Sequence, residues 1–398
     1  MVRLSLKPLL CLLAAATLAL AGCAPATRAP TPSTPSTSTQ SVQPQAVQPN
    51  QSITLALLTP QSSPNQGAAS LGRALVNSAR MAMVDLNNRQ VSLKVYDTGG
   101  DQARAAQQAR TAIAEGADII LGPLFSASTR SVARVAGPQG IKVLSFSTDS
   151  SVAGNGVWLT GFLPEMEAKR ILAFARSQGR GQVGIFHPAN GYGEAALRGA
   201  QAAERAGLTQ IIGSGAFQPG FQGVQAASSG FAAQARGADA ILLATGGRDL
   251  QAAGSFMNLN DFDPARVKYL GLGQWYSGAT FQELSLQNGW FPAPDVGRSN
   301  QFSDRYARQF GAKPRLVAVL GYDAVRVAGQ VFAEARRGGG TDPFPTQILT
   351  RPAGFEGGIG AIRFNQAGLS ERALAVLEVS DRSFRTIDPA PARFRAGF

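Results

Sequence analysis

The sequence predicts an α/β protein made of two doubly wound parallel-sheet lobes. From Ile53 onward, short apolar runs alternate with amphipathic segments of helical length. That alternation completes one set and begins again near Pro164. The folded part, about 345 residues, is more than one hydrophobic core usually serves. Strands separated by helices of about 10 to 15 residues pair in parallel through right-handed crossovers, so two such sets make two sheets.

Residues 53–58, ITLALL, form a buried strand that ends at Thr59-Pro60. Leu71, Leu75, Ala79 and Met83 recur every fourth residue, which gives a helix stripe running toward Asn87. Val91, Leu93 and Val95 alternate with Ser92, Lys94 and Tyr96 as a second strand, and Asp101 is placed to cap a helix that ends near Gly116. A third strand follows up to Leu121, then a helix from about Ser128, a strand over 142–146 and a connection at 157–161.

The second set opens with a helix over 164–178, with Pro164 at its start and Gly179 at its stop. Strands over 182–186, 209–213, 240–245 and 268–272 alternate with helices over 192–206 and about 224–236 and one from Leu250. After Trp290 two helices, about 300–310 and 316–336, follow without a strand between them, which returns the chain to the first lobe. GAIRFN at 360–365 and ALAVLEV at 373–379 read as a β-hairpin. The expected lobes are 52–158 plus 292–345 and 159–291 plus 346–388.

Ahead of the folded part, Arg3 and Lys7 precede an apolar run from Leu9 to Leu20, too short to span a bilayer, and then Leu20-Ala21-Gly22-Cys23. The string LAGC resembles the lipobox of bacterial lipoproteins. It implies a signal peptide over 1–22, cleavage before Cys23 and lipidation of its thiol, with several acyl chains anchoring far better than one. Ala24, in place of an aspartate, implies the periplasmic side of the outer membrane as the destination in a two-membrane cell. Residues 24–51 are rich in Pro, Ser, Thr and Gln with no apolar period, a disordered tether by composition.

The chain has two cysteines, Cys11 and Cys23, so the mature protein carries no disulfide and no thiol chemistry. Its formal charge of +12 becomes +10 once Arg3 and Lys7 leave with the signal. The arginines are scattered and thicken only at Arg372, Arg382, Arg385, Arg393 and Arg395. A nucleic-acid partner is not expected, because such a reader concentrates its basic residues on one face. Anionic lipid or cell-wall polymer is the milder electrostatic expectation.

Enzymatic chemistry has no visible residue set. His187 is the one histidine and reads as a loop residue, so a Ser-His-Asp triad would have to run through it and a His-based metal site is excluded. No GxxxxGK[ST] or SxxK string occurs, neither GLGQWYSG nor GNGVWLTG completes GxGxxG, and Glu165 and Glu167 lie two apart on a helix and face apart. Neither a cofactor nor a metal is expected.

What remains is the loops outside the carboxyl ends of the strands, where doubly wound sheets bind ligands. They carry Thr59 to Ser63, Ser126 to Thr129, Ser147 to Asp149, His187 to Tyr192, Gly246-Gly247 and Gln274 to Tyr276. The hydroxyls at 126–129 stand at a helix start, which suits either an anion seat or simple N-capping by Ser126 or Ser128.

The order of these loops, with VSLKVYDTGGDQARAAQQA, ILGPLFSAST, NGYGEAAL and GYDAVRVAG, resembles the leucine/isoleucine/valine-type (type I) periplasmic binding fold from Ile53 to about Val379. The resemblance implies two lobes joined by three crossings, with ligand in the cleft. Within that fold GPLFSASTRSVA, VLSFSTDSSVAGNGVWLTGF, NGWFPAPD and RLVAVLGYDAV are similar to the penicillin-binding protein activator lipoproteins, which stimulate a peptidoglycan synthase by contact.

By the same resemblance Ser126 matches the carboxylate-binding serine of the amino-acid binders, Tyr192 the tyrosine of the YGE motif and Tyr322 the tyrosine of the closing helix. Asp149 stands where they place a hydroxyl beside the ligand carboxylate, and Gln274 where they place an acid for the ammonium group. A free amino acid would meet its charges reversed or unanswered. The cleft candidates are therefore Ser126, Ser128, Ser147, Asp149, Tyr192, Gln274 and Tyr322, with a small polar ligand.

Two functions follow as expectations. The first is a non-enzymatic regulator docking on a peptidoglycan synthase, a penicillin-binding protein, toward which the anchor and tether weigh. The alternative is a receptor delivering an amino acid or other small polar ligand to an ABC permease.

Overall fold

A computed structural model of the chain describes residues 51–394. The expected signal peptide, Cys23, the tether up to Asn50 and Arg395 lie outside the described residues.

In the first lobe, β1 (Ile53–Thr59), β2 (Val91–Asp97), β3 (Ile119–Leu121), β4 (Lys142–Ser145) and β5 (Val157–Leu159) form a parallel sheet in the order β2-β1-β3-β4-β5. It is wound by α1 (Gln66–Leu86), α2 (Gln102–Ala114) and α3 (Ser126–Ala136). Local chemistry sets the helix ends. Asp101 accepts the Arg104 amide at 2.7 Å at the start of α2, and Asn87 closes α1 in the left-handed conformation at φ 44°. Leu75 and Ala79 of the predicted stripe are fully buried.

The second lobe runs α4 (Pro164–Ser177), β6 (Gln182–Pro188), α5 (Gly191–Arg205), β7 (Gln210–Phe217), α6 (Phe221–Gln234), β8 (Ala240–Leu243), α7 (Gly247–Leu259), β9 (Lys268–Leu270), α8 (Gly278–Gln282) and β10 (Trp290–Ala293). The chain returns through α9 (Val296–Phe310), α10 (Val319–Arg337) and α11 (Thr346–Leu349) to a small antiparallel sheet of β11 (Phe355–Glu356), β12 (Ala361–Phe364) and β13 (Ser370–Arg372). It ends with β14 (Ala375–Ser380) and β15 (Ser383–Asp388), which complete a seven-stranded sheet ordered β15-β14-β10-β9-β8-β6-β7. Strands β6 to β10 are parallel, and β14 and β15 are antiparallel additions.

Both sheets carry apolar layers on two faces. In the first lobe α1 and α10 cover one face and α2 and α3 the other, and in the second α6 and α7 oppose α4 and α5. Residues 316–337 are the one helical stretch among the described residues long and apolar enough to cross a membrane, and their apolar side packs on the core of the first lobe.

Four expectations change. Residues 157–161 are not only a connection, because Val157–Leu159 pair with Val143–Ser145 as β5, a run too short to show a period. His187 is not a loop residue. Strand β6 continues to Pro188 and leaves it 3% exposed. The two return helices, α9 and α10, do follow one another without a strand between them, and β10 before them is an element unassigned from the sequence. The hairpin of 360–365 with 373–379 does not form, since β12 pairs with β11 and β13 while β14 pairs with β10 and β15. Of the stretch 346–388, Leu349, Phe355, Ile362 and Phe364 pack into the core of the first lobe, and only Ala375 onward joins the second sheet.

The reason for that division is Arg372. Its guanidinium, nearly fully buried, donates to Asp323 Oδ2 at 2.8 Å and to the Thr160 carbonyl at 2.7 Å, and lies over the Phe162 ring at 4.4 Å. Asp323, on α10 and fully buried, also accepts the Gly358 amide at 2.7 Å. One side chain thus holds the first crossing between the lobes, at 160–163, to the start of the third, at 373–374. Removing one partner of such a pair strands the other charge, at a cost of about 3–5 kcal/mol. In urea unfolding Arg372→Met should lose that much, and Asp323→Asn with Arg372→Met should lose less than Arg372→Met alone. A single variant within 1 kcal/mol of the parent chain, on the scale set by that estimate, contradicts this account.

Candidate functional site

The two sheets present their carboxyl ends to a shared cavity of about 630 Å³. From the first lobe come Leu71 of α1, Leu124 and Phe125 before α3, Phe146 and Thr148 after β4, and Phe162 of the first crossing. The second lobe contributes Glu167 of α4, Tyr192 of α5, and Gly273, Gln274 and Tyr276 after β9. Pro292 to Pro294 and the segment from Arg315 to Leu320 close the hinge side. The walls are mostly apolar with a few polar groups, the usual make-up of a small-molecule site.

The polar groups are unusual in their state. Glu167 is 5% exposed. Its Oε2 accepts the Gly273 amide at 3.0 Å, and its Oε1 has no hydrogen-bond partner among the described residues. Burial pushes its carboxyl up to about 7, against the Gly273 amide, with the Glu165 charge adding to the rise. A Cβ at 273 would stand 2.5 Å from Glu167 Oε1, so a larger residue there would displace the carboxylate. The Tyr192 hydroxyl is buried with no partner, and burial, aided by the Glu167 charge, pushes it well above its ordinary range. Glu165 does face apart, bonded to Arg198 at 3.1 Å in a different cavity.

Of the predicted residues, Tyr192 and Gln274 line the interlobe cavity. Ser126, Ser128, Ser147 and Asp149 do not, although their neighbours Phe125 and Thr148 do. Asp149 is engaged inside the first lobe: its carboxylate takes the Arg130 guanidinium at 3.0 Å and the Ser151 amide at 3.0 Å and hydroxyl at 2.6 Å. Burial alone would raise Asp149, but the Ser151 hydroxyl and amide, Arg130 and the Ser126 hydroxyl outweigh it and hold the carboxyl below its usual range. Ser147 Oγ accepts the Asp149 amide at 3.1 Å, and Ser128 is buried on the inner face of α3. Neither Ser126 nor Ser128 caps α3, whose N-cap is Phe125.

Tyr322 is a correction. Its hydroxyl donates to Asp85 Oδ2 at 2.6 Å, and its ring meets Phe302 and Arg305 in a separate cavity among α9, α10 and Gly357-Gly358. The helix rotation that buries Leu320 and Ala324 of α10 in the core also sets the direction of Tyr322, and the short motif could not show it. Tyr276 lies in the Gln274 to Tyr276 loop expected at the cleft, and sequence reasoning missed Glu167, Phe125, Phe162 and Arg315. For Glu167, Phe125 and Phe162 the available signal was position, since each lies within a few residues of a strand's carboxyl end or a crossing, while Arg315 follows α9 and had no such signal.

Glu167 binds its proton more tightly in the folded chain than in the unfolded one. Its contribution to stability therefore falls as pH rises from about 4.5 to about 7 and is flat outside that window. The loss is about 3 kcal/mol in full. Glu167→Gln should accordingly unfold at higher denaturant than the parent chain at pH 8 and at the same denaturant at pH 4. An equal difference at both pH values would place the carboxyl at its ordinary titration.

A family model described as periplasmic binding protein matches residues 52–383. Among solved structures, the chain is similar to a Rhodospirillum rubrum protein described as a branched-chain amino acid ABC transporter, with TM-score 0.71, 19% identity and coverage of 84% of this chain and 100% of that one. It is also similar to a branched chain amino acid ABC transporter periplasmic ligand-binding protein from Burkholderia xenovorans, with TM-score 0.64, 18% identity and coverage of 85% and 96%. A solute binding protein of Rhodopseudomonas palustris in complex with benzoate gives TM-score 0.57, 14% identity and coverage of 87% and 98%. At such identities the likeness is one of fold. No curated protein matches the chain.

Proposed function

This chain belongs to the periplasmic binding protein family, and from that premise we propose that it is an extracytoplasmic, non-enzymatic receptor that holds a small ligand between its lobes and presents it to an ABC permease. The observation that carries this reading is the interlobe cavity of about 630 Å³, apolar in its walls and polar at Glu167, Tyr192, Gln274 and Thr148. Its volume suits a ligand of small-molecule size. The three crossings give two rigid bodies a place to hinge, and hinge closure over ligand is a recurrent switching motion.

The second reading is the contact regulator of a peptidoglycan synthase, tethered to the outer membrane through Cys23. Asp149, closed by Arg130, Ser126 and Ser151, favours it to the extent that a free amino acid finds no carboxylate seat in the first lobe. Polymerisation of peptidoglycan with and without the protein is its direct assay. No change in rate there removes the second reading.

For the receptor, a thermal-shift screen of small metabolites should return at least one that stabilises the chain. A ligand at 100 times its Kd adds about 2.7 kcal/mol. Leu316→Trp, which fills the cavity, should abolish that shift, and a shift of equal size in both chains would place the ligand elsewhere.

A further inference from the structure

The receptor reading leaves open what kind of molecule enters, and the cleft's charges bear on it. We infer that the cavity selects a compact apolar amine, with one cationic nitrogen and no carboxylate, whose nitrogen sits between the Glu167 carboxylate and the Tyr192 hydroxyl. This rests on the receptor reading.

The groups facing that point from each element agree. On α4 the only charge directed into the cavity is Glu167, whose Oε1 is unbonded among the described residues, and Glu165 turns away to Arg198. Helix α5 contributes the Tyr192 hydroxyl, buried and without a partner. The turn after β9 brings the Gly273 amide and the neutral Gln274 side chain. The first lobe faces them with Leu124, Phe146 and Phe162 and one hydroxyl, Thr148. Arg315, the one cation of the cavity among the described residues, is an exposed residue on the hinge segment.

A buried carboxylate and an orphaned phenol are each unfavourable in the empty cleft and are each satisfied by an N–H donor carrying positive charge. An anionic ligand meets the opposite situation. It would lie beside Glu167, and the first-lobe serine and aspartate that mark the anion seat are engaged with each other and with Arg130. An α-amino acid satisfies Glu167 with its ammonium but must leave its carboxylate to Arg315 in open water, where ion pairs contribute little.

The pH signature follows. A cation bound by Glu167 needs the carboxylate ionised. With the free carboxyl at about 7 the ionised fraction rises roughly tenfold from pH 6 to pH 8, while an aliphatic amine stays protonated throughout.

The test is calorimetric titration of the full-length chain with isoamylamine, benzylamine and phenethylamine, against benzyl alcohol, benzoate and L-phenylalanine, at pH 6 and pH 8. At least one amine should bind, about tenfold tighter at pH 8. Glu167→Gln should lose at least tenfold in affinity at pH 8 together with the pH dependence, and Tyr192→Phe should lose affinity while keeping the pH dependence. Binding of benzoate, L-phenylalanine or benzyl alcohol as tight as the best amine, with loss in Leu316→Trp, overturns amine selection and leaves the receptor intact. Silence from all three amines also overturns it, and the receptor reading falls only if the wider metabolite screen is silent as well.

Discussion

The ion pair between Arg372 and Asp323 is the joint on which the two-lobed arrangement depends. A long chain that crosses between two sheets three times needs its crossings held side by side, and these strands are too short to do that by pairing alone. Arg372 reaches α10 through Asp323, the first crossing through the Thr160 carbonyl, and the cleft wall through the face of Phe162. Because the pair is buried, removing either member leaves the other's charge without its partner. The same pair keeps β13 with the first lobe and sends the chain across at Ala373, so that β14 can pair with β10.

Around that joint the two lobes are closed units with apolar layers on both faces of each sheet, and the polar exceptions cluster where the sheets end. In the first lobe Asp149 is satisfied by Arg130, Ser126 and Ser151, and the Thr59 hydroxyl at the end of β1 is buried without a partner. In the second lobe the cleft carries an acid and a phenol short of partners. Glu167 has one amide for two oxygens and Tyr192 has nothing. A folded chain tolerates a carboxyl raised to about 7 and an orphaned phenol where the surrounding structure fixes them, and such groups mark functional sites more often than cores. The cleft is thus polarised, with a mostly apolar wall on one side and unsatisfied acceptors and donors on the other.

Much of the fold was legible in the sequence because it depends on local rules. The fourfold recurrence from Leu71 to Met83, the Asp101 cap and the alternation at Val91 to Val95 act within one element, and the strand–helix succession then dictates parallel sheets. What escaped depends on distant partners. Val157–Leu159 is a strand only because β4 lies beside it, and β12 and β14 separate only because Arg372 finds Asp323. Tyr192 and Gln274 were legible as cleft residues from their loops. Glu167 was not, since an acid in the first turn of a helix reads as ordinary helix chemistry until the turn at Gly273 closes over it. Tyr322 and Asp149 were misplaced for the same reason: a motif fixes the position in the chain, while Asp85 and Arg130 decide where the side chain points.

Glu167 is a buried carboxyl of the interlobe cleft with one amide for its two oxygens. Its state is read from its carboxyl carbon-13 resonance followed with pH, assigned by its absence from the Glu167→Gln spectrum. A midpoint of about 7 is expected in the free chain, with a fall toward the ordinary carboxylate range when a cationic ligand binds. A midpoint near 4.5 in the free chain would contradict that expectation.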